Sequence, residues 1–190
     1  IMLPRAAVSI KRVMEVLNCE LSITDPKQPK AFDTQQHGYV EFKDVAFRYP
    51  GAEENVIENI SFLARPGQTT AFIGSTGSGK STIVNLVPRF FDVTAGSIEV
   101  DGVDIREVSQ QELRHRIGYV PQKGVLFSGT IESNLRYAEA DADWHQLKQA
   151  AEIAQASEFI DSKPEGYDTP IAQGGTNVSG GQKQRLSIAR

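Results

Sequence analysis

Apolar and polar residues alternate along YVEFKDVAFRY, Tyr39 to Tyr49. A period of two places successive side chains on opposite faces of an extended chain and predicts a half-buried strand. VIENISFLARPGQTTAFIG adds two strand-like runs, the second being TTAFI, on either side of a Pro66-Gly67 turn signal. Beyond a glycine-rich run, KSTIVNLVPRFF predicts a helix, GSIEVDGVDI a hairpin turning at Asp101-Gly102, and RIGYVPQ another strand. From Thr130 the texture changes. Trp144, Leu147, Ala151, Ala154 and Phe159 recur near helical spacing, and SGGQKQRLSIAR enters a second helical pattern. The expected class is α/β, strand-rich at first, with strand, loop and helix alternating around the glycines and a helical part after them. Ahead of all this, Leu3, Ala7, Ile10, Met14 and Leu17 fall on one helical stripe with Pro4 in the first turn. That stripe is compatible with an amphipathic helix packed on its own domain. Residues 18–38, with two prolines and no sustained period, read as a linker and put a domain boundary near His37.

Composition narrows the classes of function. The chain has 190 residues, 39% hydrophobic and 23% charged, enough for a substantial core and ordinary for a globular protein. A formal net charge of -4 supplies no basic field for nucleic acid or anionic lipid, so no nucleic-acid partner is expected. A single cysteine, Cys19, excludes an intrachain disulfide and reads as a small apolar filler. No uninterrupted apolar run approaches the roughly 18 to 20 residues that span a bilayer. Both termini read as cut: there is no initiator methionine, and the last helical pattern reaches Arg190 without a capping signal.

GSTGSGKSTI, Gly74 to Ile83, carries the chemistry. Gly74, Gly79, Lys80 and Ser81 satisfy G-x-x-x-x-G-K-[ST], in the expected setting between an apolar strand-like run and a helix. Glycines at this spacing let the backbone N–H groups of residues around Thr76 to Ser81 turn inward as an anion nest, with the positive end of the next helix behind them, and Ser75, Thr76, Gly77, Ser78 and Gly79 are among the residues expected to bind nucleotide. A polyphosphate suits such a nest. Lys80 brings a compact charge to the outer phosphates, the Ser81 hydroxyl is short enough to ligate Mg²⁺, and Thr82 backs them. A flexible Gly/Ser linker does not sit between a strand-like run and a helix. VSGGQ, Val178 to Gln182, repeats the physics: Ser179 and Gln182 have capping-box spacing, and Gly180 and Gly181 leave the helix entrance uncovered.

A phosphate loop followed by VSGGQKQRLSIAR closely resembles the nucleotide-binding domain of ATP-binding cassette (ABC) transporters, over nearly all of residues 39–190. The resemblance implies a P-loop ATPase core with an N-terminal antiparallel β subdomain and a helical subdomain, incomplete at its C-terminus, and ATP with Mg²⁺ as ligands. Tyr49 in FRYP looks like the aromatic on which adenine stacks. Gln122 in YVPQ looks like the Q-loop glutamine that reaches toward Mg²⁺ and the attacking water. Val178, Ser179, Gly180, Gly181 and Gln182 are similar to the signature that faces a nucleotide held by a second nucleotide-binding domain, with Val where Leu is usual. Lys80 and Gln122 then take the catalytic roles, and Ser81 and Gln122 the metal. RFFDVTAGSIEVDGVDI and PQKGVLFSGTIESNL resemble the exporter branch, which carries drugs, lipids or peptides outward. On that resemblance residues 1–20 are the end of the last transmembrane helix and its cytosolic extension, 21–38 a linker, 39–129 the β subdomain and core, and 130–190 the helical subdomain. The implied location is the cytoplasmic face of the membrane, with a transmembrane domain of the same polypeptide as partner.

The sequence also departs from the family. Many exporters carry Gly-Glu before the signature, where TPIAQGGTN places Ala172 and Gln173, so one charge that could pair with a basic group is absent. The Asp-Glu of the family's later strand and its downstream His lie outside Ile1–Arg190, and no residue here is nominated as general base. His37, His115 and His145 precede the signature and take no catalytic role. The ABC ATPases of chromosome organisation and DNA repair place long coiled-coil arms between Q-loop and signature, and the short gap from Gln122 to Val178 has no room for them. A regulatory module in which ATP only clamps a dimer is the other rival, and the residue at the end of that later strand discriminates it.

Overall fold

The computed structural model describes residues 2–33 and 37–190, with side chains from residue 7 onward. Ile1, residues 34–36 of the expected linker, and the side chains of Leu3 and Pro4 lie outside that description. The chain divides into two compact units, Ile1–Gly118 and Tyr119–Arg190.

In the first unit, helix α1 spans Met2–Leu17. The described members of its predicted stripe are exposed, Ile10 at 62% and Leu17 at 71%, so they are not packed on this unit's core. No helix among the described residues is long and apolar enough to cross a membrane. Strands β1 (Val40–Phe47), β2 (Ile57–Ala64), β3 (Ala95–Val100) and β4 (Val103–Asp104) form one antiparallel sheet in the order β2-β1-β3-β4. The buried residues of β1 are Phe42, Val45 and Phe47, which strict alternation would not put on one face. A bulge at Asp44 reconciles them. Asp44 has φ 47° and the register shifts between Lys43 and Ala46, so one extra residue returns Val45 to the buried side. Gly96 lies against this bulge, where a Cβ would stand 2.3 Å from the Lys43 carbonyl oxygen. The predicted Asp101-Gly102 turn joins β3 to β4 with both residues at positive φ, as a type I′ hairpin turn requires. Helix α2 (Lys80–Leu86) buries Ile83 and Leu86, and α3 (Gln110–His115) buries Leu113 in the same core as Phe42, Phe47 and Ile98.

Residues 18–33 form no helix or strand, yet part of this segment is fixed to the core. The Asp25 carboxylate accepts from the Gln110 backbone and side-chain N–H groups, both at 3.0 Å, at the start of α3. Lys30 pairs with Glu107 at 2.7 Å, and Phe32, 6% exposed, lies under the Arg116 guanidinium.

The second unit is helical. It holds α4 (Ile131–Leu135), α5 (Trp144–Ile153), α6 (Ser157–Asp161) and α7 (Gly180–Ala189), with a short ladder of β5 (Gly129–Thr130) and β6 (Pro170–Ile171). Its core gathers Leu126, Ile131, Leu147, Ala151, Ile160 and Leu186. The predicted helical stretch breaks in two at Gln155, whose φ is 55°.

Two predicted strands are not formed. TTAFI and RIGYVPQ carry strand-like residues, but no strand among the described residues pairs with either. Phe72 still packs on Phe62, whereas Ile73 is 96% exposed. Strand composition is local, and a ladder needs a second segment at hydrogen-bonding distance.

Candidate nucleotide-binding site

The glycine run leads from the extended TTAFI stretch into α2, and its geometry follows from its smallest residues. Gly77 and Gly79 sit at φ 84° and 85°, a region L-residues with a Cβ avoid. At Gly79 the space is closed as well: a Cβ would lie 2.6 Å from Ile57 Cγ2. At Gly74 it would meet Ser78 Oγ at 2.6 Å. Gly79 is also the N-cap of α2, and no side chain caps that helix. Its first N–H groups therefore lack the usual side-chain acceptor.

Lys80 folds back over the loop. Its ammonium donates to the carbonyl oxygens of Gly74 at 2.8 Å and Ser75 at 2.7 Å, with Ser78 Oγ at 3.4 Å. Those contacts fix a positive charge at the mouth of a cavity of about 170 Å³ lined by Val56 and residues 77–82. Of the lining residues Gly77, Ser78 and Ser81 are exposed, as are Ser75 and Thr76 earlier in the loop, while Thr82 is 5% exposed. The Thr82 hydroxyl is 3.0 Å from the Tyr49 hydroxyl. Tyr49 is half-buried, edge-to-face with both Phe47 and Phe91 at centroid distances of 4.8 and 5.2 Å. The aromatic expected to stack on a base is thus tied by its hydroxyl to the phosphate-loop helix.

The second glycine site lies in the second unit. The expected capping box is present: the Gln182 N–H donates to Ser179 Oγ at 3.3 Å, and the Ser179 N–H donates to Gln182 Oε1 at 3.0 Å. A Cβ at Gly180 or Gly181 would meet nothing within 4 Å, and neither has positive φ. Among the described residues, no packing or backbone constraint calls for glycine at either place. Val178 packs against the second unit's core. Gln122 is exposed on a loop of the same unit. The structure therefore gathers Tyr49 and Gly74–Thr82 in one unit and Gln122 and Val178–Gln182 in the other.

Sequence reasoning missed several polar braces. Asn134, 1% exposed, accepts the Phe127 N–H at 2.8 Å and donates to the carbonyls of Phe127 and Thr130, both at 2.9 Å. The Asn177 side chain closes the loop before the signature, accepting from the Ala172 N–H at 2.9 Å and donating to the Pro170 carbonyl at 2.7 Å. An asparagine in a loop carries no periodic signal, so only the fold reveals these roles.

A glycine-lined loop whose lysine ammonium is fixed at the entrance of an uncapped helix, set beside an antiparallel sheet, defines a phosphate-loop nucleotide-binding domain. The family model described as ABC transporter matches residues 57–190, and the chain belongs to that family. It is 46% identical to an uncharacterised ABC transporter ATP-binding protein of Mycobacterium bovis, over 99% of this chain and 32% of the relative. It is 44% identical to the ATP-dependent lipid A-core flippase of Pseudomonas aeruginosa, over 80% of this chain and 26% of the relative. Its structure is similar to that of a bacterial Atm1-family ABC exporter with ATP bound, with a TM-score of 0.90 and 34% identity over 98% of this chain and 32% of the other. The chain spans about a third or less of the length of each of these relatives.

Proposed function

We propose that this chain is the ATP-binding and ATP-hydrolysing part of an exporter subunit, working at the cytoplasmic face of a cell membrane. The observation that carries this reading is the Lys80 ammonium held by the Gly74 and Ser75 carbonyls over an uncapped helix start. A triphosphate at that place gains the α2 N–H groups, a fixed cation and a glycine surface that no side chain obstructs. Tyr49 offers its ring to the base. Ser81, exposed at the cavity, offers an oxygen donor of the kind Mg²⁺ prefers, and Gln122 carries another such donor in its own unit. Mg²⁺ held by such donors would supply neutralisation of phosphate charge. No residue of 1–190 is nominated as general base, and on this reading residues 1–190 alone bind nucleotide without hydrolysing it.

Gly180 and Gly181 have no internal reason to be glycine, which supports a role for the α7 entrance toward a ligand held outside this chain. A second nucleotide-binding domain with its own phosphate loop is the fitting partner, and ATP then closes the dimer. A transmembrane domain of the same polypeptide turns that closure into efflux of a drug, lipid or peptide. The test is Ser179→Arg in the full-length transporter. Nucleotide affinity of the variant's own phosphate loop should stay within about twofold, since none of its residues is touched, while turnover should fall by at least about a hundredfold. Normal turnover would show that the α7 entrance does not face a nucleotide.

A further inference from the structure

The loop that follows Gln122 is fastened to α7 along one face of the helix. Gly124 approaches so closely that a Cβ there would stand 2.3 Å from Ser187 Oγ, 3.0 Å from the Lys183 carbonyl oxygen and 3.1 Å from Ser187 Cβ. Gly124 does not occupy positive φ, so close approach rather than backbone freedom accounts for the glycine. Ser187 is 5% exposed, and its hydroxyl, facing Gly124, has no hydrogen-bond partner among the described residues. Three residues further on, at the C-cap of the same helix, Arg190 donates to the Val125 carbonyl at 2.9 Å. Its guanidinium lies 5.5 Å from the Phe127 ring and 5.4 Å from that of Tyr137, which stack on each other at 4.5 Å. Leu126 is buried in the core that also holds Leu186, and Asn134 fixes both backbone groups of Phe127. Four consecutive residues, 124–127, are therefore anchored, beginning two residues after Gln122.

We infer that Gly124 is a positioning residue for Gln122: its contact with Lys183 and Ser187 fixes the Gln122 loop to α7, so that Gln122 and the helix entrance at Ser179 are displaced together. The inference rests on the reading of Gln122 and of Val178–Gln182 as groups that meet nucleotide. It adds that the two are one mechanical piece, joined at a glycine that neither motif contains. A methyl group at 124 must push the Ser187 hydroxyl aside and move the loop away from the Lys183 carbonyl and Ser187 Cβ by a few tenths of an ångström.

The test uses the full-length transporter with Gly124→Ala, Ser187→Ala, Gln122→Ala and their pairwise combinations. Hydrogen exchange reads the attachment directly. Amides of residues 124–127 should exchange severalfold faster in Gly124→Ala, and part of that gain should reverse in Gly124→Ala/Ser187→Ala, where the nearest clashing atom is gone. Turnover reads the positioning. Gly124→Ala should lower it about tenfold, the scale of losing a group that orients a ligating residue, while ATP affinity holds and Ser187→Ala alone stays normal. In the Gln122→Ala background, Gly124→Ala should cost little more, because a residue acting through Gln122 has nothing left to position. Should Gly124→Ala not fold, Arg190→Lys, which gives up the planar contact with Phe127 and Tyr137, carries the same expectations. Unchanged exchange and turnover would overturn the inference, and so would losses that multiply in the double variant, the mark of plain destabilisation. Full turnover in Gln122→Ala is the separate outcome that removes the reading of Gln122, and the positioning role falls with it.

Discussion

At the scale of single residues, the phosphate loop shows why glycine and lysine cannot be exchanged for similar residues. Gly79 needs both its positive φ and its missing Cβ, and Lys80 spans back to two carbonyls while facing the cavity. The spacing of the motif pointed to a glycine-lined loop before a helix, whereas the bonds from Lys80 to two carbonyls are found only in the structure. Tyr49 was legible only in part. Its place near the end of β1 gave no hint of the 3.0 Å link to Thr82, which depends on how a distant helix packs. The ring and the hydroxyl are separable. Tyr49→Phe should lower stability by about 1 kcal/mol, the net value of one neutral hydrogen bond, and leave ATP affinity within about twofold because the aromatic face is kept. Thermal unfolding and nucleotide titration on the same preparation check this, and a large affinity loss would place the hydroxyl on the ligand instead.

At the scale of elements, the pattern predicted those that are locally specified. The β3–β4 hairpin follows from its turn residues, and α7 starts where Ser179 and Gln182 form their reciprocal bonds. It failed for TTAFI and RIGYVPQ, whose residues are strand-like but whose ladder would depend on a segment elsewhere. It also missed the anchoring of residues 24–32, because prolines and polar residues mark an irregular backbone and say nothing of what that backbone touches. Asp25 shows the strength of that anchoring. Hydrogen bonds from the Gln110 backbone N–H and then its side chain hold the Asp25 carboxyl below its ordinary value of 3.8, against a small opposing effect of burial. A lowered pKa in the folded state means that the stabilisation is complete above the ordinary value and lost as pH falls through the folded one. The melting-temperature gap between the unmodified protein and Asp25→Ala should therefore hold steady from about pH 7 to about pH 5 and close below about pH 4. Asp25→Asn, which keeps an acceptor without a titrating proton, should show a gap to the unmodified protein that narrows over the same acid range. A gap independent of pH would mean that the carboxylate contributes nothing through its charge.

At the scale of the whole molecule, the proposed function separates binding from hydrolysis. The phosphate loop is assembled within the first unit. Purified residues 1–190 should accordingly show no phosphate release that depends on Lys80, whereas the full-length transporter should hydrolyse ATP. Release by residues 1–190 that disappears in their Lys80→Ala variant would place the general base inside this chain. The second unit contributes the capped, glycine-lined entrance of α7 and the loop bearing Gln122. Each unit has its own core, and each carries one end of the proposed nucleotide chemistry.

The central claim is that Gly74–Thr82 holds the phosphates of ATP and that Lys80 supplies the fixed charge. Isothermal titration of Mg-ATP into the full-length transporter and its Lys80→Ala variant, both confirmed folded by circular dichroism, tests it directly. The unmodified protein should bind, and the variant should bind about ten- to a hundredfold more weakly, since a charge-assisted contact contributes roughly 1.5–3 kcal/mol. Equal affinity in the two proteins would contradict it.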